Sequence, residues 1–388
     1  MKVSSLICEY NPFHNGHKYM LDKMRENGSD FIIACMSGNF TQRGDFAVFD
    51  KYSRTKTALE NGVDLVIELP VTYACATAEK FAFGGVYILN SVGCADNIYF
   101  GSECGDISSL ESTADILQSS EISDRIKKYL SLGQTFAKAR ENAVSEISEK
   151  SADILRYPNN ILAIEYIRSL KKLHSPIFPQ TIKRIGSEHD SMTAFENTAS
   201  ATLIRKCIYE NNSDFRKYIP FSDIPDIHSL SKLETAFLYQ LRMMSPEDFK
   251  NLPDISEGLE NRLYSAVRNG TSVKEILSLA KTKRYPLARL RRILLYAFLG
   301  ITQSDCTVFP QYIKILGFTQ NGKTILRTMR ETAKLPIVMR YSDIKKLSRP
   351  AQYLYALESR CDDIYNLSSN NIIPCGQNLT ANTIILEK

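Results

Sequence analysis

ICEYNPFHNGHKYML, residues 7–21, is the stretch on which the reading of this chain turns. Its first residues close an apolar run that starts at Val3 and reads as a β-strand. Asn-Pro-Phe then turns the chain, and HKYMLDKMREN continues with apolar residues at helical spacing. His14 and His17 fall three apart where that helix begins, so both imidazoles come to one side. A helix start carries unpaired N–H donors and a partial positive charge, so a polyphosphate can rest on it while the two imidazoles donate to its oxygens. Gly16, with no side chain, is expected to let a nucleotide approach the backbone closely. Attack at an α-phosphorus builds charge on the equatorial oxygens, and fixed donors aimed there stabilise the transition state more than the ground state. With five His and 18 Gly in 388 residues, chance would place an H-x-G-H about 0.003 times per chain. The plain alternative is a strand-to-helix turn whose histidines cap neighbouring groups.

Working outward, VSSLICEY, FIIACM, DLVIEL and DNIYF read as strands, separated by the helical patterns HKYMLDKMREN, KYSRTKTALENG and AEKFAFGGVYILNSVG. Successive βα units predict an α/β fold with a doubly wound, mostly parallel, Rossmann-like sheet and ligands at the carboxyl ends of its strands. SSLESTADILQ, ISDRIKKYLSLG and QTFAKARENAVSEI predict a helical insertion at about residues 105–155, after which PIFPQTIKRIG resumes the sheet. Strand signals thin out from about Pro220. The expected organisation is a Rossmann-like domain over residues 1–215 and a mainly α-helical domain over 216–388, with the pieces NIIP and NTIIL near the end left unplaced.

The chain is 44% hydrophobic and 23% charged, the balance of an ordinary globular protein, which excludes disorder and fibres. No apolar run reaches the roughly 20 residues of a bilayer span. The best candidate, LARLRRILLYAFLGIT, is broken by Arg291 and Arg292. The opening MKVSSLICEYNPFHNGHK does not resemble a secretory signal, so no membrane association and a cytoplasmic location are expected. Nine scattered cysteines without a C-x-x-C pair indicate neither a disulfide framework nor a zinc site, and no metal-binding residues are assigned. The net charge of +5 hides an asymmetry: Lys281 to Arg349 holds fifteen Lys or Arg against three acids. So basic a segment is the electrostatic footprint of a polyanion-binding surface, unless it is a solvated helical face.

A second element lies far downstream. In SATLIRK, Ser200 and Thr202 stand at a helix start and Arg205 one turn further in, an arrangement suited to the β and γ phosphates that leave as pyrophosphate. NPFHNGH followed by SATLIR resembles the HxGH and SxTxIR pair of the nucleotidylyltransferase superfamily. MSGNFTQRGDFAVFDKYSRTKTALENGVDLVIELP, FGSE at 100–103, PNNILAIEY at 158–166 and KRIGSEHD at 183–190 resemble one branch of it, the tRNA(Met) cytidine acetate ligase family, over essentially the whole chain.

The resemblance implies a reaction in which acetate and ATP form acetyl-adenylate, which then acetylates the wobble cytidine of elongator methionine tRNA to N4-acetylcytidine. It implies that His14 and His17 act on the phosphates. The ATP site would be lined by Ile7, Cys8, Glu9, Tyr10, Asn11, Pro12, Phe13, His14, Asn15, Gly16, His17, Lys18, Tyr19 and Met20. Gly101 would approach the adenosine, and Asn160 and Arg184 would complete the pocket, with Ser200, Thr202 and Arg205 carried over from the wider superfamily. Gln42, Arg43, Asp45, Lys51 and Arg54 are open to a role in the site or to surface ion pairing. His189 and Asp190 lack the aromatic residue expected before them, and a structural His is the preferred reading. Mg²⁺ is expected to accompany the triphosphate. The segment 281–349 is expected to hold tRNA, with charges such as Arg291 and Arg292 on its phosphates; Tyr285, Phe298, Phe309, Tyr312 and Phe318 are read as core more than as stacking platforms. Two other readings stay open: a small-molecule adenylyltransferase, and a non-catalytic RNA-binding protein that keeps a nucleotide pocket. A class I aminoacyl-tRNA synthetase is matched only poorly, by KKLSR at 345–349.

Overall fold

The computed structural model describes residues 1–184, 198–256 and 258–387. His189 and Asp190 lie outside the described residues. Among the described residues eight strands form one sheet: β1 (Val3–Cys8), β2 (Phe31–Ser37), β3 (Leu65–Leu69), β4 (Asn97–Ser102), β5 (Phe178–Lys183), β6 (Ile313–Thr319), β7 (Ile337–Val338) and β8 (Ile384–Leu386). Their order is β5-β4-β1-β2-β3-β6-β7, with β8 also paired to β6. β1 to β5 are parallel neighbours throughout, and the order reverses direction between β1 and β4. That reversal opens a crevice outside the strand ends, the general ligand position of open α/β sheets.

The alternation of a pleated strand supplies two cores. On β2, Ile33 and Cys35 enter the apolar cluster on one face of the sheet, and Ile32, Ala34 and Met36 the cluster on the other. The four helices Ile107–Gln118, Ser120–Ser131, Phe136–Ser145 and Glu149–Ile154 fill the expected insertion between β4 and the helix Pro158–Lys172.

A sheet that crosses residue 216 departs from the expected division. β6 lies antiparallel to β3, and β7 and β8 run parallel to β6, so residues 313–386 extend the sheet of the first half. IKILGFT is buried at every position, and a short apolar run of that kind has no periodicity to separate strand from buried helix. The unplaced NTIIL is β8. The helices between Glu234 and Leu299 do build a core of their own, but Phe40, Phe46, Val71 and Cys75 from the first half complete it, together with Tyr365 near the end.

Two cations read as candidates for the surface are interior. Lys51 and Arg54 lie on the helix Lys51–Glu60, which Asp50 starts by accepting from the amides of Tyr52 and Ser53. Lys51 Nζ lies 2.7 Å from Glu68 Oε1 on β3 and 2.6 Å from Asp362 Oδ2 on the long helix Arg349–Asn366. Lys314 of β6 is 2.7 Å from the other Glu68 oxygen. Burial works against the Lys51 ammonium, yet Asp362 and Glu68 outweigh it and hold the group charged. Burial alone would raise Glu68, but Lys314 and Lys51 bring it down to about 2. Arg54 donates to the carbonyls of Phe49, Glu9, Ser37 and Gly38, tying together the chain where it leaves β1 and β2.

Candidate active site

The first helix, Asn15–Glu26, begins two residues after the cis Asn11–Pro12 bond and Phe13, and His14 is its N-cap. Each histidine closes half of a capping box. His14 Nδ1 accepts from the Gly16 amide at 3.1 Å, and His17 Nδ1 accepts from the His14 amide at 3.2 Å. A neutral imidazole whose Nδ1 accepts carries its proton on Nε2, so each ring keeps one N–H to offer outward. Burial first, then Arg184 and Arg205, lowers the His14 pKa to about 3. Burial, then His14 and Arg184, holds His17 well below its ordinary value. The two rings stack at 3.7 Å between centroids, which two imidazolium ions would not tolerate.

Both histidines line a cavity of about 240 Å³ at the β1/β4 reversal. Arg184, Thr202 and Arg205 stand on its other walls, so the two distant motifs converge on one space. Arg205 donates to the Asn11 carbonyl at 2.8 Å and to Thr202 Oγ1 at 3.3 Å, which docks the second helix (Ala201–Tyr209) on the turn before the first. Arg184 lies over Gly101: a Cβ there would come 3.2 Å from Arg184 Cγ. Guanidinium groups on two sides and neutral N–H donors on a third suit a polyanion. Glu9 faces the same cavity. Burial raises its pKa, against which the Gln42 amide, 2.7 Å from Oε1, and nearby arginines act.

The structure divides the expected residues. Ile7, Cys8, Glu9, Tyr10, Asn11, His14, His17, Met20, Gly101, Arg184, Thr202 and Arg205 line the cavity. Pro12, Phe13, Asn15, Gly16, Lys18 and Tyr19 are not on its walls. Phe13 is buried in the core, Lys18 pairs with Asp22, and Asn15 donates to the Lys217 carbonyl at 3.0 Å. Helix periodicity explains this, because only one side of a helix start can face a ligand. At Gly16 the space a Cβ would need is held by the His14 ring, 2.9 Å away, so the glycine accommodates the histidine rather than a nucleotide. Asn160 is also set back: its Oδ1 accepts from the amides of Glu103 and Cys104, and its neighbour Asn159 is the one on the wall. Ser200 caps the second helix by accepting from Leu203. The apolar wall residues Phe81, Leu162 and Tyr166 carry no sequence signal, since a helix position facing a ligand and one facing a core look alike. Gln42 and Arg43 do line the cavity.

A family model described as HIGH Nucleotidyl Transferase matches residues 1–378. The tRNA(Met) cytidine acetate ligase of Thermoanaerobacter sp. (strain X514) is 43% identical, covering 96% of each chain. The chain belongs to the tRNA(Met) cytidine acetate ligase family. The family member of Clostridium kluyveri is 38% identical over the full length of both chains. The crystal structure of apo Thermotoga maritima TmcAL, 34% identical, superposes with a TM-score of 0.94 over all of both chains, and that of the same protein bound with alpha-thio ATP with 0.92. The similarity to the Thermotoga maritima structure thus extends over the whole architecture, including the sheet strands contributed by the last 75 or so residues.

The basic segment also sorts itself. Arg292 is buried and 3.1 Å from Asp254, and Lys314 belongs to the interior network, so neither is placed to meet tRNA. Arg291 is exposed. Tyr285, Phe298, Tyr312 and Phe318 are core, while Phe309 is half exposed against Phe83 and Tyr87. Among the described residues no helix is long and apolar enough to cross a membrane, and no group of three or more His, Cys, Asp or Glu is arranged to hold a metal ion.

Proposed function

We propose that this protein activates acetate with ATP and transfers the acetyl group to the wobble cytidine of elongator tRNA(Met) in the cytoplasm. The observation that carries the reading is the convergence of His14, His17, Arg184, Thr202 and Arg205 on one cavity at the sheet's switch point. In the first step an acetate oxygen bonds to the α-phosphorus while the bond to the bridging oxygen breaks and pyrophosphate leaves. In the second, the cytidine N4 bonds to the acetyl carbon, the carbon–oxygen bond to AMP breaks, and N4 gives up a proton to solvent. No covalent enzyme intermediate is needed. The chain contributes position and fixed charge: the Nε2–H groups of His14 and His17 meet the charge that grows on the phosphate oxygens, and Arg205 and Thr202 hold the departing end. Arg184, over Gly101, closes the nucleotide side. Mg²⁺ held by the triphosphate itself would neutralise part of its charge. Residues 1–215 with the late strands carry activation, and the basic part of 216–388 meets tRNA.

The test is exchange of labelled pyrophosphate into ATP with a panel of carboxylates, followed by mass analysis of the tRNA. Acetate-dependent exchange and a tRNA mass gain of one acetyl group are expected. Exchange that ignores acetate would indicate a small-molecule adenylyltransferase, and no exchange at all a binding protein.

A further inference from the structure

The loop Thr41–Asp45 is a wall between two cavities. Its ends are joined by the Phe40–Phe46 bridge and by the Thr41 amide donating to the Asp45 carbonyl at 2.9 Å. Gln42 and Arg43 face the cavity of the two histidines, whereas Gly44 and Asp45 face a second groove of about 510 Å³, within the range of about 300–1,000 Å³ typical of ligand sites. Gly44 has φ +77 and sits so close to the basic helix Leu287–Leu299 that a Cβ would lie 2.5 Å from the Arg292 amide nitrogen. The wall is therefore seated directly on the helix that carries Arg291.

The groove has an apolar floor, including Phe237, Leu277 and Leu294, and a rim with the cations Lys274, Lys281 and Arg291. Its two carboxylates already accept backbone amides: Glu234 that of Val273 and Asp45 that of Phe46, both at 2.8 Å. Arg289 and Arg292 next door are tied to Asp254, but among the described residues no salt bridge engages Lys274, Lys281 or Arg291. Cations around an apolar floor match a single-stranded nucleotide, which offers a flat base and a phosphate. The Gln42–Asp45 wall sets this groove directly beside the cavity of the two histidines.

We infer that this groove binds an unpaired nucleotide of the tRNA anticodon loop adjacent to the reacting cytidine, its phosphate on Lys281 and Arg291 and its base against the floor. The inference rests on the ligase reading above. The experiment compares tRNA binding by Lys281→Ala/Arg291→Ala with Lys127→Ala/Lys128→Ala, a change of equal charge on the inserted helix Ser120–Ser131, outside the basic segment, whose two lysines are exposed. The groove variant should bind tRNA about tenfold more weakly near physiological salt, with a salt slope shallower by about 1.4, and the insertion-helix variant within about twofold of the unaltered protein. Exchange of pyrophosphate into ATP needs no RNA and shows whether each variant is folded; if the double variant fails that check, Lys281→Gln alone is read. Equal losses in the two variants, or unchanged binding in the groove variant, would overturn the inference. So would a changed oligomeric state with tRNA affinity intact, which would make the groove an interface between copies. Missing exchange in the unaltered protein removes the ligase reading itself, whereas normal exchange with an indifferent groove variant removes only the groove.

Discussion

Two clusters of ionisable groups sit on the same sheet and do opposite things. Around β1, His14, His17, Arg184 and Arg205 border a cavity, and each histidine, its Nδ1 accepting a backbone amide, keeps an Nε2–H to offer outward. Around β3 and β6, Lys51, Glu68, Lys314 and Asp362 pair with one another, with Asn39 Nδ2 donating to Asp362 at 2.8 Å and Lys51 to Asn378 at 3.1 Å. Both clusters show displaced pKa values, so displacement alone does not mark a site of chemistry. What separates them is the direction in which donors point: into open space in one, into neighbouring carboxylates in the other. The first is built to meet a ligand, and the second joins the two halves of the chain.

The largest expected effect lies in the second cluster. Lys51→Met should destabilise the fold by about 3–5 kcal/mol, because it leaves Glu68 and Asp362 short of a buried counter-charge. Urea unfolding measures this, and a loss under about 1 kcal/mol would mean that water reaches the network.

His17→Ala addresses the first cluster. It should slow pyrophosphate exchange about 10²- to 10³-fold, the cost of one preorganised donor, while tRNA affinity stays within about twofold. Equal loss of both would place His17 with the structural groups and erase the contrast.

Glu358 gives the smallest and finest test. Burial, then Glu68, raises its pKa to about 7. A carboxyl raised above its ordinary value lends stability that is complete below about pH 4.5 and lost as pH climbs through about 7. Glu358→Gln keeps a polar partner for Tyr312, now 2.9 Å from the carboxylate, and cannot ionise. The fall in unfolding free energy between pH 5 and pH 8 should therefore shrink in the variant by about 1–3 kcal/mol. An unchanged pH profile would show that Glu358 titrates normally.

The turn at Asn11–His17 was readable in the linear order because strand, turn and helix are local, and so were the other parallel strands and the Ser200 cap. Lys51 and Arg54 misled for a physical reason: a charged residue in a sequence normally signals solvent, and its burial depends on partners more than 300 positions away in the case of Asp362. Asn160 misled differently. Two adjacent asparagines carry the same chemistry, and only the rotation of the helix Pro158–Lys172 decides that Asn159 meets the cavity while Asn160 holds the Glu103–Cys104 amides.

By itself, then, the order of residues determined the α/β class, the position of the histidine turn and the family, since these follow from spacing and short-range hydrogen bonding. Tertiary structure alone decided which cations face outward, that β6 to β8 complete a sheet begun some 300 residues earlier, and that one glycine-bearing loop parts two cavities. Those outcomes depend on contacts between distant segments, and an amino acid carries no local mark of the partner it will meet.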